Sequence, residues 1–217
     1  MIKPMNNIIL STAYFPPIQY MSKIFRNDNV LIEKWENFGK QSYRNRAKIM
    51  ISNGIMQLVV PVEKANSKIL TKDIKITYVT NWQKIHFRSI ESAYRNSPYY
   101  EYYIDDLMPF FEYKEKFLLD FNLKILEVLM NLIDINNNIK LSSYFTVPKI
   151  NNIVLAENKE YYDLRNGIHP KVSKQIEDKD FIIKEYHQTF NDRMPFTPNL
   201  SILDLLFCEG PNSLSYL

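Results

Sequence analysis

Two arginines one residue apart, in "SYRNRAKIM" at residues 42–50, are the strongest candidates for chemistry in this sequence. A guanidinium is a planar, permanently charged fork of donors that matches a carboxylate or phosphate at two points. In extended chain Arg44 and Arg46 face one side and Asn45 the other. Two like charges on one face repel unless an anion lies between them. That anion is either part of a ligand or an internal carboxylate, Glu33 or Glu36, from a neighbouring strand. The residues leave both alternatives open.

Other reactive types are sparse. His86 falls on a helix beginning near Asn81, with Ile90 and Tyr94 following on the same face at four-residue steps. It reads either as a structural hydrogen-bonding histidine or as part of a site. His169, in the turn "NGIHP", is expected to be solvated, and His187 has a helix-like periodic surround. With no H-E-x-x-H, no C-x-x-C and no histidine pair at ligand spacing, no built-in metal site is expected, and the cofactor is unknown. There is no G-x-S-x-G, and the single cysteine, Cys208, sits in the apolar run "LDLLFCEG" as an inert thiol. Ser142 and Ser143 follow the strand-like "IKL", and strand ends open toward clefts in α/β sheets. Only four glycines occur and no glycine-rich phosphate loop is present, so a bound nucleotide would need its phosphates held by other means.

The elements that must position these residues can be read from periodicity. "NIILSTAYFPP" is a short strand, Ile8 to Thr12, entering a proline loop; "IQYMSKIFRN" has helical spacing; "NVLIEKWE" is a strand. Strand, helix, strand over about thirty residues is the length of a βαβ unit. "AKIMISNGIMQLVVPV" reads as a hairpin turning at Asn53-Gly54. "DIKITYV" is a further candidate strand. Thr80 and Gln83 suggest a capping box opening a helix to about Asn96, with helices over about 100–112 and 114–133 and a strand at "IKLSSYF". Residues 146–180 lack a clear period and are expected to form a long loop or arm. Asn199 would cap a last helix that Gly210 stops. One domain, residues 1–217, is the expectation.

Composition bounds the class. Of 217 residues, 46% are hydrophobic and 24% charged, as in ordinary globular proteins. The net charge of +3 is dispersed, with no basic stripe to bind nucleic acid. No segment is long and apolar enough to span a bilayer, and the opening residues do not resemble a signal peptide, so a cytoplasmic location is expected. The Tyr- and Phe-rich stretch 94–117 could serve as an interface, for a second copy or another protein.

Taken in order, "AYFPPIQY", "QSYRNRAKI", "NG", "LVVPV", "IHFRSIESAYRNSPYYEYY", "DLRNGIHPK" and "PNLSILDLLFCEGP" resemble the WbqC-like proteins, in the branch common among Bacteroidota-type bacteria. The family's motif falls on Tyr14, Phe15, Pro16 and Tyr20, on Arg44, Asn45 and Arg46, and on Asn53, Gly54 and Pro61. It continues at His86, Tyr94 and Pro98, at Asp120 and Asn122, and at Ser142 and Ser143. The opening "STAYFPP" lacks the family's Gln-Pro before the tyrosine. The resemblance implies a role around O-antigen or other surface polysaccharides. There it suggests transfer of an acyl or aminoacyl group, such as glycyl, to an amino sugar or nucleotide sugar. In that scheme His86 is the general base and Arg44 and Arg46 hold a phosphate or carboxylate. Tyr14, Phe15, Tyr20, Asn45, Tyr94, Ser142 and Ser143 contact the substrate. The alternative is a non-catalytic binding module with an anion cleft. The expected fold is a Rossmann-like sheet that begins as nucleotidyltransferase or HUP domains do, with a hairpin insertion and a helical C-terminal half.

Overall fold

In the computed structural model, which describes residues 7–63, 68–147 and 152–217, the chain begins as a βαβ unit. β1 (Asn7–Ser11) leads through α1 (Ile18–Arg26) to β2 (Asn29–Glu33), and the two strands pair in parallel from Asn7↔Asn29 to Ser11↔Glu33. β5 (Ile139–Leu141) pairs in parallel with β2, and β7 (Lys159–Asp163) in parallel with β1. β6 (Ile153–Ala156) closes the edge antiparallel to β7, giving the strand order β5-β2-β1-β7-β6. The parallel register brings Ser11, Glu33, Ser142 and Asp163 to one edge, the carboxyl ends of the strands.

Ile8, Leu10, Val30 and Ile32 point into the main core, while Ile9 and Leu31 join a smaller cluster with Val154, Ala156 and Tyr161. This two-sided burial explains why β1 and β2 read as continuous apolar runs rather than alternating ones. The helices fill the main core: α2 (Trp82–Tyr94), α3 (Tyr100–Leu107), α4 (Pro109–Glu112), α5 (Leu118–Ile133) and α6 (Ile202–Glu209). α5 buries Phe121, Ile125 and Leu129 completely, each contributing about 1.5–3 kcal/mol of transfer free energy.

The inserted hairpin, β3 (Arg46–Ile51) and β4 (Gly54–Val59), pairs Ile51 with Gly54, so its two-residue loop is Ser52-Asn53 rather than the expected Asn53-Gly54. Within the hairpin Gly54 takes a positive φ, 113°, the role glycine has after a type I turn in a bulged hairpin.

Four local expectations give way. The stretch 74–79 forms isolated bridges, Lys75 with Phe117 and Ile76 with Val62, instead of a strand. The expected capping box does not form: Asn81 precedes α2 with no side-chain cap, and Gln83 Nε2 donates instead to the carbonyls of Phe110 (3.0 Å) and Tyr113 (2.7 Å). Residues 153–163, inside the expected loop, are β6 and β7. The last helix is capped not by Asn199, whose side chain pairs with Gln19, but by Ser201, whose Oγ accepts from Leu203 N, with Gly210 at its end.

Candidate functional site

The strand ends carry a buried charge network. Glu33 closes β2, and both its oxygens are occupied: Oε1 accepts from Ser142 Oγ (2.6 Å) and Trp35 N (2.9 Å). Oε2 accepts from Thr146 N (3.1 Å), Thr146 Oγ1 (3.1 Å) and Arg165 Nη1 (3.2 Å). Arg165 is in turn chelated by Asp163, at 2.9 Å through Nε and 2.6 Å through Nη2. Three residues beyond Glu33, Glu36 takes Arg44 in a two-point clamp, Nε at 2.8 Å and Nη2 at 2.6 Å. Ser11 Oγ links the halves, accepting from Arg44 Nη2 (2.6 Å) and lying within 3.2 Å of Glu36 and 3.0 Å of the Arg165 carbonyl. Tyr20 Oη donates to the carbonyl of Ser11 at 2.8 Å, and burial, reinforced by Glu36, raises its pKa.

Three carboxylates against two guanidiniums, all under a tenth exposed, is a costly group to take from water unless each partner stays in place. The network lies where strand order departs from chain order, β1 standing between β2 and β7. That is the position where open α/β sheets hold ligands. A slot of about 10 Å³ reaches it past Ala13, Tyr43 and Ile168, room for about one water molecule. Tyr43 also walls a larger cleft of about 600 Å³ on the hairpin side.

The two arginines do not share a face. Tyr43–Asn45 form a 3-10 turn, so Arg44 turns inward to Glu36 while Arg46 starts β3, half-buried, with Nη1 on Gln57 Oε1 (3.2 Å). The internal-carboxylate alternative thus holds for Arg44. Asn45 fastens the turn, its Nδ2 donating to the Val60 carbonyl (2.9 Å), and Asn122 Nδ2 donates to the Arg44 carbonyl (2.8 Å). Asp120 is exposed.

Tyr14 and Phe15 are wholly buried and support the loop. Phe15 has φ 36°, a left-handed conformation costing about 1–3 kcal/mol for a bulky residue. The loop is held by Tyr14 N on the Tyr43 carbonyl (2.9 Å), Ser201 Oγ on the Phe15 carbonyl (2.9 Å) and Ile202 N on the Pro16 carbonyl (2.8 Å). The first helix offers no open anion site at its N-terminus: Ile18 N donates to the Leu200 carbonyl (3.0 Å) and Gln19 N to Asn199 Oδ1 (3.0 Å). The analogy with phosphate-receiving nucleotide-binding domains therefore stops at the topology of the first unit.

His86 is apart from the charge network. It is 4% exposed, its Nδ1 lies 2.9 Å from Tyr14 Oη, and Trp82 stacks edge-on at 5.1 Å. Burial lowers its pKa to about 4, with a hydrogen bond to the Val59 backbone opposing, so the ring is neutral near pH 7. Tyr94 belongs to a second polar cluster, donating to Asp204 Oδ1 at 2.9 Å. Ser142 orients Glu33; Ser143 is exposed, with Oγ 3.4 Å from Glu157 Oε1. Cys208 is buried and its thiol pushed up to about 12, chiefly by desolvation.

Sequence reasoning missed Ser11, Asp163 and Arg165. The signal available was the Asp-x-Arg spacing in "DLR", which puts a carboxylate and a guanidinium on one side of an extended chain. His169 also differs from expectation: it is 7% exposed, not solvated. In the aromatic stretch 94–117, Tyr94, Tyr100, Ile104, Leu107, Phe110 and Phe111 face the core, while Tyr102 and Tyr113 stay about 70% exposed. The described residues include no cluster of three or more His, Cys, Asp or Glu side chains placed to hold a metal, and no helix among them is long and apolar enough to cross a membrane.

A mixed α/β protein with a mostly parallel five-stranded sheet, a small antiparallel hairpin, and charged side chains gathered at the strand ends is the class these features define. Within it, the chain belongs to the WbqC-like protein family, whose pattern it matches over residues 12–216. It is similar to the uncharacterized protein Rv1507c of Mycobacterium tuberculosis (strain ATCC 25618 / H37Rv), 26% identical over 227 residues and covering 96% of each chain. No solved structure matches the chain at a significant level.

Proposed function

We propose that the protein is a transferase moving an acyl or aminoacyl group, glycyl among them, to the amine of an amino sugar or nucleotide sugar in surface-polysaccharide synthesis. The sugar and the transfer come from the family resemblance. The observation that carries a ligand role is the paired-charge network at the strand ends, where Arg44, clamped by Glu36, and Arg165 border one slot. In this reading the amine nitrogen attacks the donor carbonyl, the leaving group departs with its electron pair, and the amine proton passes to a base. His86 holds Tyr14 in the conformation described; it takes the base role only when that contact opens. An activity profile with an inflection near about pH 6.5 would mark the opening, and a flat one from mildly acidic to neutral pH removes His86 from the chemistry.

The saturation of both oxygens of Glu33 and of Glu36 favours a second reading, a ligand-binding module without turnover. One experiment separates the two: incubate the purified chain with nucleotide-linked amino sugars and acyl or glycyl donors, and look for the acylated sugar by mass spectrometry. Arg44→Lys, which keeps the charge and removes the fork, is expected to lower product by about tenfold or more. Thermal stabilisation by a sugar ligand without product supports the binding module; no product and no stabilisation with any pair sinks both.

A further inference from the structure

From Lys171 to Asp180 the chain has no buried side chain, although both ends of this stretch are fixed. Pro170 is buried, and its carbonyl accepts from Lys48 Nζ at 2.7 Å. Phe181 is half-buried against the main core. Between these ends, polar contacts tie the segment to the rest of the described chain. Asp178 makes the charged one: Oδ1 takes Lys23 Nζ at 2.6 Å and Oδ2 takes Gln19 Nε2 at 2.8 Å, both from α1. Those partners are themselves set in place. The Lys23 side chain is 7% exposed, and Gln19 Oε1 accepts from Asn199 Nδ2 at 3.1 Å. The remaining ties are weaker: Ile176 N donates to the Gly167 carbonyl at 3.2 Å, Gln175 Nε2 to the His169 carbonyl at 2.9 Å, and Lys171 Nζ to the exposed Gln41.

The same segment divides two clefts. The cleft of about 600 Å³ and a second of about 330 Å³ are both lined by Gln19, Ile176, Glu177 and Asp178, so residues 176–178 stand between them. Each cleft also shares a wall with the strand-end slot: Leu164 and Ile168 on the smaller side, Tyr43 on the larger. Lifting residues 176–178 therefore joins the clefts across the residues that close the slot. The lift uncovers little apolar surface, because Val172 is already 79% exposed and Ile176 42%. A segment tied by polar contacts, with little apolar area buried, opens locally and ahead of global unfolding.

We infer that residues 171–180 are a lid, latched on α1 by Asp178, whose release joins the two clefts and opens the strand-end slot to a small-molecule ligand. The opening stands on the geometry; its use in admitting substrate rests on the strand ends being the ligand site. Iodoacetamide labelling of two thiols in the full chain tests the opening. One thiol is introduced by Ala13→Cys at the slot, and the other is Cys208, buried in α6, which reports global unfolding. The slot thiol is expected to react about tenfold or more faster than Cys208, because local opening is the more frequent event. Adding Asp178→Asn, which removes the charge of the latch, should speed the slot thiol by about tenfold and leave Cys208 unchanged. Equal rates at the two thiols, or a slot rate indifferent to Asp178→Asn, overturns the inference. Should Ala13→Cys fail to fold, nitration of Tyr43 by tetranitromethane, with and without Asp178→Asn, carries the same comparison. A disulfide then tests the use of the lid. A Cβ at Gly167 would lie 3.6 Å from that of Ile176, within the span a disulfide bridges, so Gly167→Cys with Ile176→Cys shuts the lid on oxidation. The oxidised chain should form acylated sugar at about a tenth of the reduced rate or less. Lid opening without transfer in either form counts against the transferase reading alone; equal transfer by the oxidised and reduced chains counts against this inference alone.

Discussion

Glu33 and Asp204 are both sealed from solvent, each 0% exposed, and the two halves of the molecule treat them differently. Glu33, at the end of β2, receives five donors, one of them the guanidinium of Arg165. Asp204, on α6, receives three uncharged donors: Tyr94 Oη at 2.9 Å, Tyr186 Oη at 2.6 Å and Gln188 Nε2 at 2.9 Å. Without a cation, burial raises the Asp204 pKa against all three hydrogen bonds. The sheet edge is thus a place where buried carboxylates meet guanidinium groups, and the helical half a place where a buried acid is met by uncharged donors alone.

The largest expected effect comes from unpairing the sheet edge. Arg165→Met leaves Glu33 and Asp163 buried without their cation, and should cost about 3–5 kcal/mol in a urea titration; a loss under about 1 kcal/mol would break the contrast. Next is the acid limb of the helical half. His86 titrates at about 4 in the folded chain against its ordinary value of 6.5, so the unfolded chain binds more protons between those values. Stability then rises as pH climbs through that window and is lost as pH falls, by up to about 3 kcal/mol. Asp204 has the opposite sign: its raised pKa means that stability declines as pH rises above its ordinary 3.8. Denaturation curves across pH should show the His86 limb flatten in His86→Gln and the opposing slope vanish in Asp204→Asn.

Removing one neutral donor should matter less. Tyr94→Phe takes a hydrogen bond from Asp204 while keeping the ring against Phe207, and is expected to cost about 1–2 kcal/mol. The smallest effect is predicted for Arg46→Ala, under about 1 kcal/mol in the same titration, because no carboxylate depends on it. A larger loss there would place Arg46 beside Arg44 as a structural residue.

The amino-acid sequence by itself determined the βαβ opening, the hairpin and the helices, because each rests on local periodicity: Ile8–Leu10 and Val30–Ile32 as apolar runs, Ile18, Met21 and Ile24 at helical steps, and a glycine where β4 starts. It also placed Arg44, Ser142 and the carboxylates Glu33 and Glu36 among the residues worth watching. β6 and β7 stayed hidden, since Leu155 on the edge strand and Lys159 and Glu160 at the start of β7 face solvent and blur the apolar pattern. Only the tertiary structure decided that Arg44 turns inward while Arg46 does not, that Gln83 serves the Phe110 and Tyr113 carbonyls instead of a cap, and that His86 lies with Tyr14 and Trp82. Only the fold, too, brought Asp163 and Arg165 to Glu33 across more than a hundred residues of chain. Those outcomes depend on which distant groups arrive to satisfy a buried donor or charge. Local propensity does not encode such arrivals; the cost of leaving a buried charge or donor without a partner favours them.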